Sequence, residues 1–230
     1  MFFLISFLIS SIITYASIPI IRRNFLNKGI IDRPDFRSQH SKPIVRVGGI
    51  SIFLSFISTL FICKYFNLTN INLPIQNNFL IIIVLISSLF FTVGLIDDLF
   101  NLSPFLRLSI QFMSASLLWF LNIKIDIINF LWFADISLNN TLSYLLTIFW
   151  VVAITNAINW LDGLDGLTAG IVFIYLIGLA QGSIFFGQNE MTIIAFIVAG
   201  SCLAFLKYNF YPANIIMGDG GSNFLGFILS

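Results

Sequence analysis

Apolar residues run along this chain in long, nearly unbroken stretches, and short polar segments separate them. Met1–Ile21, Val47–Phe66, Asn78–Ile96, Pro104–Asn122, Thr141–Ile158, Leu164–Phe186 and Met191–Leu206 each approach the ~20 residues a helix needs to cross a bilayer. An eighth apolar run opens near Gly221 and reaches Ser230. The pattern predicts an all-α, polytopic transmembrane bundle of about seven complete spans plus a partial eighth, forming one domain over residues 1–230. Phe224–Ser230 covers only part of a ~20-residue span, so the eighth helix is expected to continue in a longer form of the protein. Lys124–Leu138 is too short to span. Its partial alternation (Ile125, Ile127, Phe130–Phe133) predicts a small hairpin or interfacial element.

Composition agrees with that reading. The chain is 58% hydrophobic and only 9% charged, against about 25% charged in soluble domains. So few charges exclude an ordinary water-facing surface. The first run lacks a positive leading segment and a small-residue cleavage site, and Arg22–Arg23 follow it, as in a retained helix rather than a secretory signal. Cys63 and Cys202 lie in apolar runs without metal-ligand spacing, which makes them packing residues. A net charge of +1 points to no nucleic-acid partner.

Charge distribution adds an orientation. With the N-terminus outward, the inward loops and their flanks carry Arg22, Arg23, Lys28, Arg33, Arg37, Lys42, Arg46, Arg107 and Lys207, leaving Lys64 and Lys124 outside. Asp32, Asp35, Asp97, Asp98, Asp162, Asp165 and Asp219 fall on the same inward side. An Asp at a helix centre costs about 2.5–3.5 kcal/mol on insertion scales, so these acids belong at helix ends. Their convergence requires cations, and a divalent metal with the basic first loop is the simplest supply.

Four inward segments carry the chemistry. Asp32–His40, continuing through Lys42 and Arg46 to Gly48–Gly49, is basic and Pro-broken; it reads as a clamp for an anionic phosphate or as a topogenic loop. Asp97–Asp98 closes an apolar run, and such a pair suits metal binding or proton abstraction. Asn156, Asn159 and Asp162 are spaced by three and share a helix face, with Asp165 continuing the interval past Gly163; an oxygen-rich face suits Mg²⁺. In Gly218-Asp219-Gly220-Gly221, one acid sits among glycines at a helix start, where free N–H groups favour an anion. No Lys-Ser/Thr follows, so this is not a Walker-type loop.

Together these segments resemble the polyprenyl-phosphate N-acetylhexosamine-1-phosphate transferase family, which includes undecaprenyl-phosphate GlcNAc-1-phosphate transferases and phospho-MurNAc-pentapeptide translocases. Asn156-Ala-Ile-Asn-Trp-Leu-Asp-Gly-Leu-Asp-Gly-Leu167 and Met217-Gly-Asp-Gly-Gly-Ser-Asn-Phe-Leu-Gly226 carry the resemblance most strongly. It implies a bacterial plasma-membrane enzyme with a cytosolic site and Mg²⁺ as cofactor, Mn²⁺ being able to substitute. It also implies a UDP-sugar donor, a polyprenyl phosphate acceptor and UMP as product. A homodimer is one assembly compatible with it.

By resemblance Asp219 is the principal Mg²⁺ ligand and Asn159 the second. Asp97 is the acid that deprotonates the lipid phosphate, and Asp98 shares its electrostatics. Asp162 and Asp165 hold the nucleotide, Asn209 contacts phosphate, and Lys42 and Arg46 lie near the donor. Two departures stand out. Val45 replaces a proline usual in the first loop, and a His-rich loop usual nearer the C-terminus does not occur among these 230 residues. Two rival readings follow, a catalytically incomplete fragment or scaffold and an ion-coupled transporter. A transporter would place its acids near the midplane and show a two-half repeat, and neither is seen.

Overall fold

A computed structural model describes residues 2–28, 44–66, 79–128 and 135–230. Each predicted apolar run becomes one helix: α1 (Phe2–Asn27), α2 (Gly49–Tyr65), α3 (Phe79–Phe100), α4 (Pro104–Phe120), α5 (Asn140–Leu161), α6 (Leu167–Phe185) and α7 (Asn189–Asn209), followed by α8 (Gly218–Leu229). Strands β1 (Ile127–Ile128) and β2 (Ile136–Ser137) pair antiparallel between α4 and α5, so the expected hairpin is present. Helices α1, α3, α5, α6 and α7 are long and apolar enough to cross a membrane. Helices α2 and α4 have 17 residues each, about 25 Å at 1.5 Å per residue, which is short of a ~30 Å hydrocarbon core. Of the seven expected spans, five are helices of full spanning length, and α2 and α4 stand at the short end of the spanning range.

Local chemistry sets several boundaries. Ser103 caps α4 by accepting from Leu106 N–H, and Pro104 occupies the first turn, where a missing N–H costs nothing. Asn139 caps α5 through Leu142 N–H. Gly166 enters α6 at φ 72°, a left-handed conformation that a side chain would strain.

The bundle is packed with its small polar residues inward. On α1 the buried residues are Ser6, Ser10, Thr14, Ser17 and Ile18, while Leu4, Leu8 and Ile12 face outward. Ser11 Oγ donates to Gly200 O on α7 at 2.9 Å. A Cβ at Gly200 would overlap the backbone of Phe7. Lipid is as apolar as leucine, so close backbone approach and interhelical bonds, worth roughly 0.6 kcal/mol each, seat α1 on α7.

Helix α8 lies in the middle, packed against α2, α3 and α5. Ten of its residues, including Gly218, Phe224 and Phe227, are buried. Phe224 meets Phe53 and Phe56 of α2, and Phe90 of α3 stacks on Phe227. Cys63 and Cys202 are free and buried, as packing residues would be.

Candidate active site

The N-terminus of α8 meets the C-terminal ends of α3 and α5 and the N-terminal ends of α2 and α4, so the site occupies the end of the bundle opposite the hairpin. Glycine makes the meeting close. A Cβ on Gly94 of α3 would collide with the carbonyl of Asp219, and one on Gly49 of α2 would collide with the backbone of Gly221.

The segment before α2 is zipped onto the segment before α8. Val45 and Ile215 form a parallel bridge; Ile216 N–H donates to Val45 O (2.9 Å), Gly48 N–H to Ile216 O (2.9 Å) and Gly49 N–H to Met217 O (2.8 Å). This places Arg46 beside Asp219, with Arg46 Nη2 3.2 Å from Asp219 Oδ1. On the other side Arg107 Nη1 lies 2.7 Å from Asp97 Oδ2 and 3.4 Å from Asp219 Oδ2. Asn159 Nδ2 donates to Asp219 Oδ1 at 3.0 Å and to Ser222 Oγ at 2.8 Å. The side chain of Asp219 is thus held from three helices or loops yet remains 16% exposed.

The adjacent aspartates point to different tasks. Asp97 accepts from Leu102 N–H at 2.7 Å and pairs with Arg107. Asp98 is turned onto α8 and accepts from Asp219 N–H and Gly220 N–H, each at 2.9 Å, with only 2% of its side chain exposed. Asp162 accepts from Gly218 N–H at 2.9 Å. The N-terminus of α8, expected to offer free donors to a ligand anion, is instead capped by two carboxylates of the chain itself. Burial pushes the Asp162 carboxyl well above the ordinary carboxylate range, with Asp219 and Asp98 adding to the rise. The Gly218 N–H and the Arg46 guanidinium oppose it.

Asn209 and Asp165 hold backbone. Asn209 Oδ1 accepts from Gly166 N–H (3.0 Å) and its Nδ2 donates to Ile215 O (3.0 Å), so both ends of the amide are engaged. Asp165 Oδ2 accepts from Ala213 N–H at 3.0 Å. In this arrangement Asn209 braces the loop that leads into α8. Lys42 and the Asp32–His40 segment lie outside the described residues.

Asp97, Asp98, Asn159, Asp162, Asp219 and Arg46, drawn from all four polar segments, come together at this end of the bundle. Arg107 joins them without having been singled out. Its signal was present, since it is the sole charge in α4. Gln111, buried one turn further along the same helix, also went unread.

The arrangement can hold a hard cation. Among the described residues four carboxyl groups (Asp97, Asp98, Asp162, Asp219) lie with two guanidinium groups (Arg46, Arg107), and Asp219 and Asp97, both paired with arginine, are the two that the opening of the site leaves available to a cation. Asp219, Asp97 and Asn159 present oxygen donors, given one amide rotation at Asn159. Among the described residues no three His, Cys, Asp or Glu side chains form a ready-made metal cluster. A cation here would take few protein ligands and complete its shell with water and phosphate, the habit of Mg²⁺.

The fold and site define a helical membrane protein with a carboxylate–guanidinium centre at one end of its bundle. The family model for glycosyl transferase family 4 matches residues 80–230, and the chain belongs to that family. It is 32% identical over 226 residues to a probable undecaprenyl-phosphate N-acetylglucosaminyl 1-phosphate transferase of Bacillus subtilis, covering 98% of this chain and 61% of that protein. It is 29% identical over 233 residues to a decaprenyl-phosphate N-acetylglucosaminephosphotransferase of Mycobacterium tuberculosis, covering 97% of this chain and 57% of that protein. A phospho-N-acetylmuramoyl-pentapeptide-transferase of Prochlorococcus marinus is 31% identical over 242 residues, covering 99% and 65% respectively. The chain therefore spans less than two thirds of the length of these relatives.

Proposed function

We propose that this chain carries the catalytic centre of a Mg²⁺-dependent enzyme that transfers an N-acetylhexosamine-1-phosphate from a UDP-sugar to a polyprenyl phosphate, releasing UMP. The observation that carries the reading is Asp219, which stands at the tip of a buried helix with Asn159 at 3.0 Å and Arg46 and Arg107 at its two oxygens. Family membership and the names of the relatives support the chemistry, and the polar end of an otherwise apolar bundle suits one lipid and one soluble substrate.

Asp219 and Asn159 would hold the metal, which when bound supplies charge neutralisation on the donor pyrophosphate. The protein's remaining work is positioning two anions that repel. Arg46, half exposed at the mouth of the site, meets the donor phosphates, with Lys42 assigned to the same clamp. Asp97, paired with Arg107 at 2.7 Å, accepts the proton of the lipid phosphate. That phosphate oxygen attacks the β-phosphorus of the donor, the P–O bond to the UMP oxygen breaks, and UMP leaves with the electron pair. Asp98 acts through Asp219 by fixing its backbone. Asp162 and Asp165 border the nucleotide on the α5–α6 turn. The site would face the cytosol of a bacterial cell, in the plasma membrane.

The test is Mg²⁺-dependent UMP release from UDP-N-acetylglucosamine and UDP-N-acetylmuramoyl-pentapeptide by the membrane-inserted protein, with undecaprenyl phosphate present. Release that requires both the lipid and the metal supports the reading. A correctly inserted protein that neither releases nor binds UMP under these conditions overturns it.

A further inference from the structure

One helical turn beneath the carboxylate centre lies a layer of three amides. Gln111 follows Arg107 by four residues on α4, Asn223 follows Asp219 by four on α8, and Asn156 precedes Asn159 by three on α5. Asn156 Nδ2 donates to Gln111 Oε1 at 2.7 Å, and Gln111 Nε2 donates to Asn223 Oδ1 at a longer 3.4 Å. Gln111 is 3% exposed and Asn223 1%. Asn156 also donates to Val152 O on its own helix at 2.8 Å, which orients its amide away from the carboxylates.

The layer matters because α4 is poorly seated otherwise. It packs on α5 and only slightly on α3, and its buried residues are Gln111, Ser114, Ala115 and Leu118. Most of those side chains are small or polar, so toward the site end, away from Leu118 and the Trp119–Tyr144 ring contact, polar bonds carry the seating of the helix. At its far end Ser116 bonds Tyr144, and Trp119 donates to Ser143 of α5. At the site end the joint is Gln111–Asn156. A shift of α4 along α5 would carry Arg107 away from Asp97 and Asp219, because the two residues share one rigid turn.

We infer that Gln111 is a positioning residue: its bond to Asn156 sets the height of α4 and thereby holds Arg107 between Asp97 and Asp219. The inference rests on the metal–nucleotide reading only for its functional consequence; the mechanical one stands alone. The bond lengths rank the partners, so the α4–α5 joint dominates and the α8 bond is secondary. In Gln111→Met the volume is kept and both bonds vanish. In Gln111→Glu a carboxyl oxygen still accepts from Asn156.

Hydrogen exchange and Mg²⁺-dependent UMP binding should be measured on the full chain in detergent. Gln111→Met is expected to speed exchange across the first half of α4. It should also raise the Mg²⁺ concentration for half-maximal UMP binding about 10-fold, the usual cost of losing a group that orients a metal site. Gln111→Glu should stay near the parent in both, and Asn223→Leu should fall between. If Met and Glu behave alike, or if Met leaves α4 exchange unchanged, the inference is overturned. If the parent binds no UMP with Mg²⁺, the functional reading fails, and the exchange comparison alone decides the role of Gln111.

Discussion

Asp98 on α3 and Gly220 on α8 are joined by a 2.9 Å hydrogen bond from backbone N–H to carboxylate, and a second carboxylate oxygen takes the neighbouring N–H of Asp219. A side chain that the sequence offers as half of a reactive pair is thus the cap of another helix. Replacing it with Ala leaves two buried N–H groups unpaired, at roughly 1–3 kcal/mol each. Asp98→Ala is expected to lower thermal stability and loosen α8, whereas Asp98→Asn keeps one acceptor and loses less. Thermal unfolding in detergent measures the difference; equal losses for both variants would argue against the cap.

Asp219→Asn tests the centre itself. The amide oxygen can still accept from Arg46 and Asn159, so the variant should insert and fold. Transfer is expected to drop roughly 100-fold or more, the scale seen when a group stabilising transition-state charge is removed. Most activity retained, with the Mg²⁺ response unchanged, would remove Asp219 from the metal site.

Asp97→Asn should lower turnover at saturating donor while leaving UMP affinity close to the parent, because a base acts in the chemical step. Arg107→Met should reproduce that loss, since Arg107 touches both Asp97 and Asp219. The contrast is read from saturation kinetics beside equilibrium UMP binding. Collapsed affinity with normal turnover would make Asp97 a binding residue.

Gly94→Ala and Gly178→Ala form a matched pair. A methyl at Gly94 meets the Asp219 carbonyl, while one at Gly178 meets nothing within 4 Å. The first is expected to displace α8 and abolish UMP binding. The second, in the interior of α6, should be neutral or stabilising by up to about 1 kcal/mol, the helix preference of Ala over Gly. UMP titration and thermal unfolding distinguish them, and a functional Gly94→Ala protein would show that the α3–α8 approach is looser than described.

Cysteines placed at Arg46, Asp97, Asp162 and Asp219 are expected to escape an impermeant thiol reagent added to intact cells and to react after permeabilisation. Labelling of any of them from outside would reverse the proposed orientation.

Much of the fold was legible because its determinant is local. Apolar runs mark α2 to α7 within about four residues and α1 within about six at its end, since lipid selects for composition along each helix and the backbone then has one way to satisfy itself. What could not be read is which face of each helix turns inward. Ser6, Ser10 and Thr14 on α1, and Ser51, Ser55 and Thr59 on α2, are buried, while leucines on the same helices are not, an inversion of the water-soluble rule. At the site, residue types and spacing drew attention to segments that meet in the fold, but not to who bonds whom. Asp98, Asp162 and Asn209 satisfy backbone groups 43 to 122 residues distant, a partnership that exists only once the helices have met. Arg107 was readable as a lone charge in an apolar helix; Gln111 gave no such contrast.

The central placement of α8 imposes an order on biogenesis. Helices α2, α3 and α5 leave the ribosome first, and until Gly218–Gly220 arrives, Asp98 and Asp162 lack the N–H donors that satisfy them in the finished molecule. The same event that relieves those two carboxylates delivers Asp219 between its arginines. A half-assembled bundle therefore carries those acids without their partners, and the carboxylate–guanidinium centre comes into being only when α8 docks.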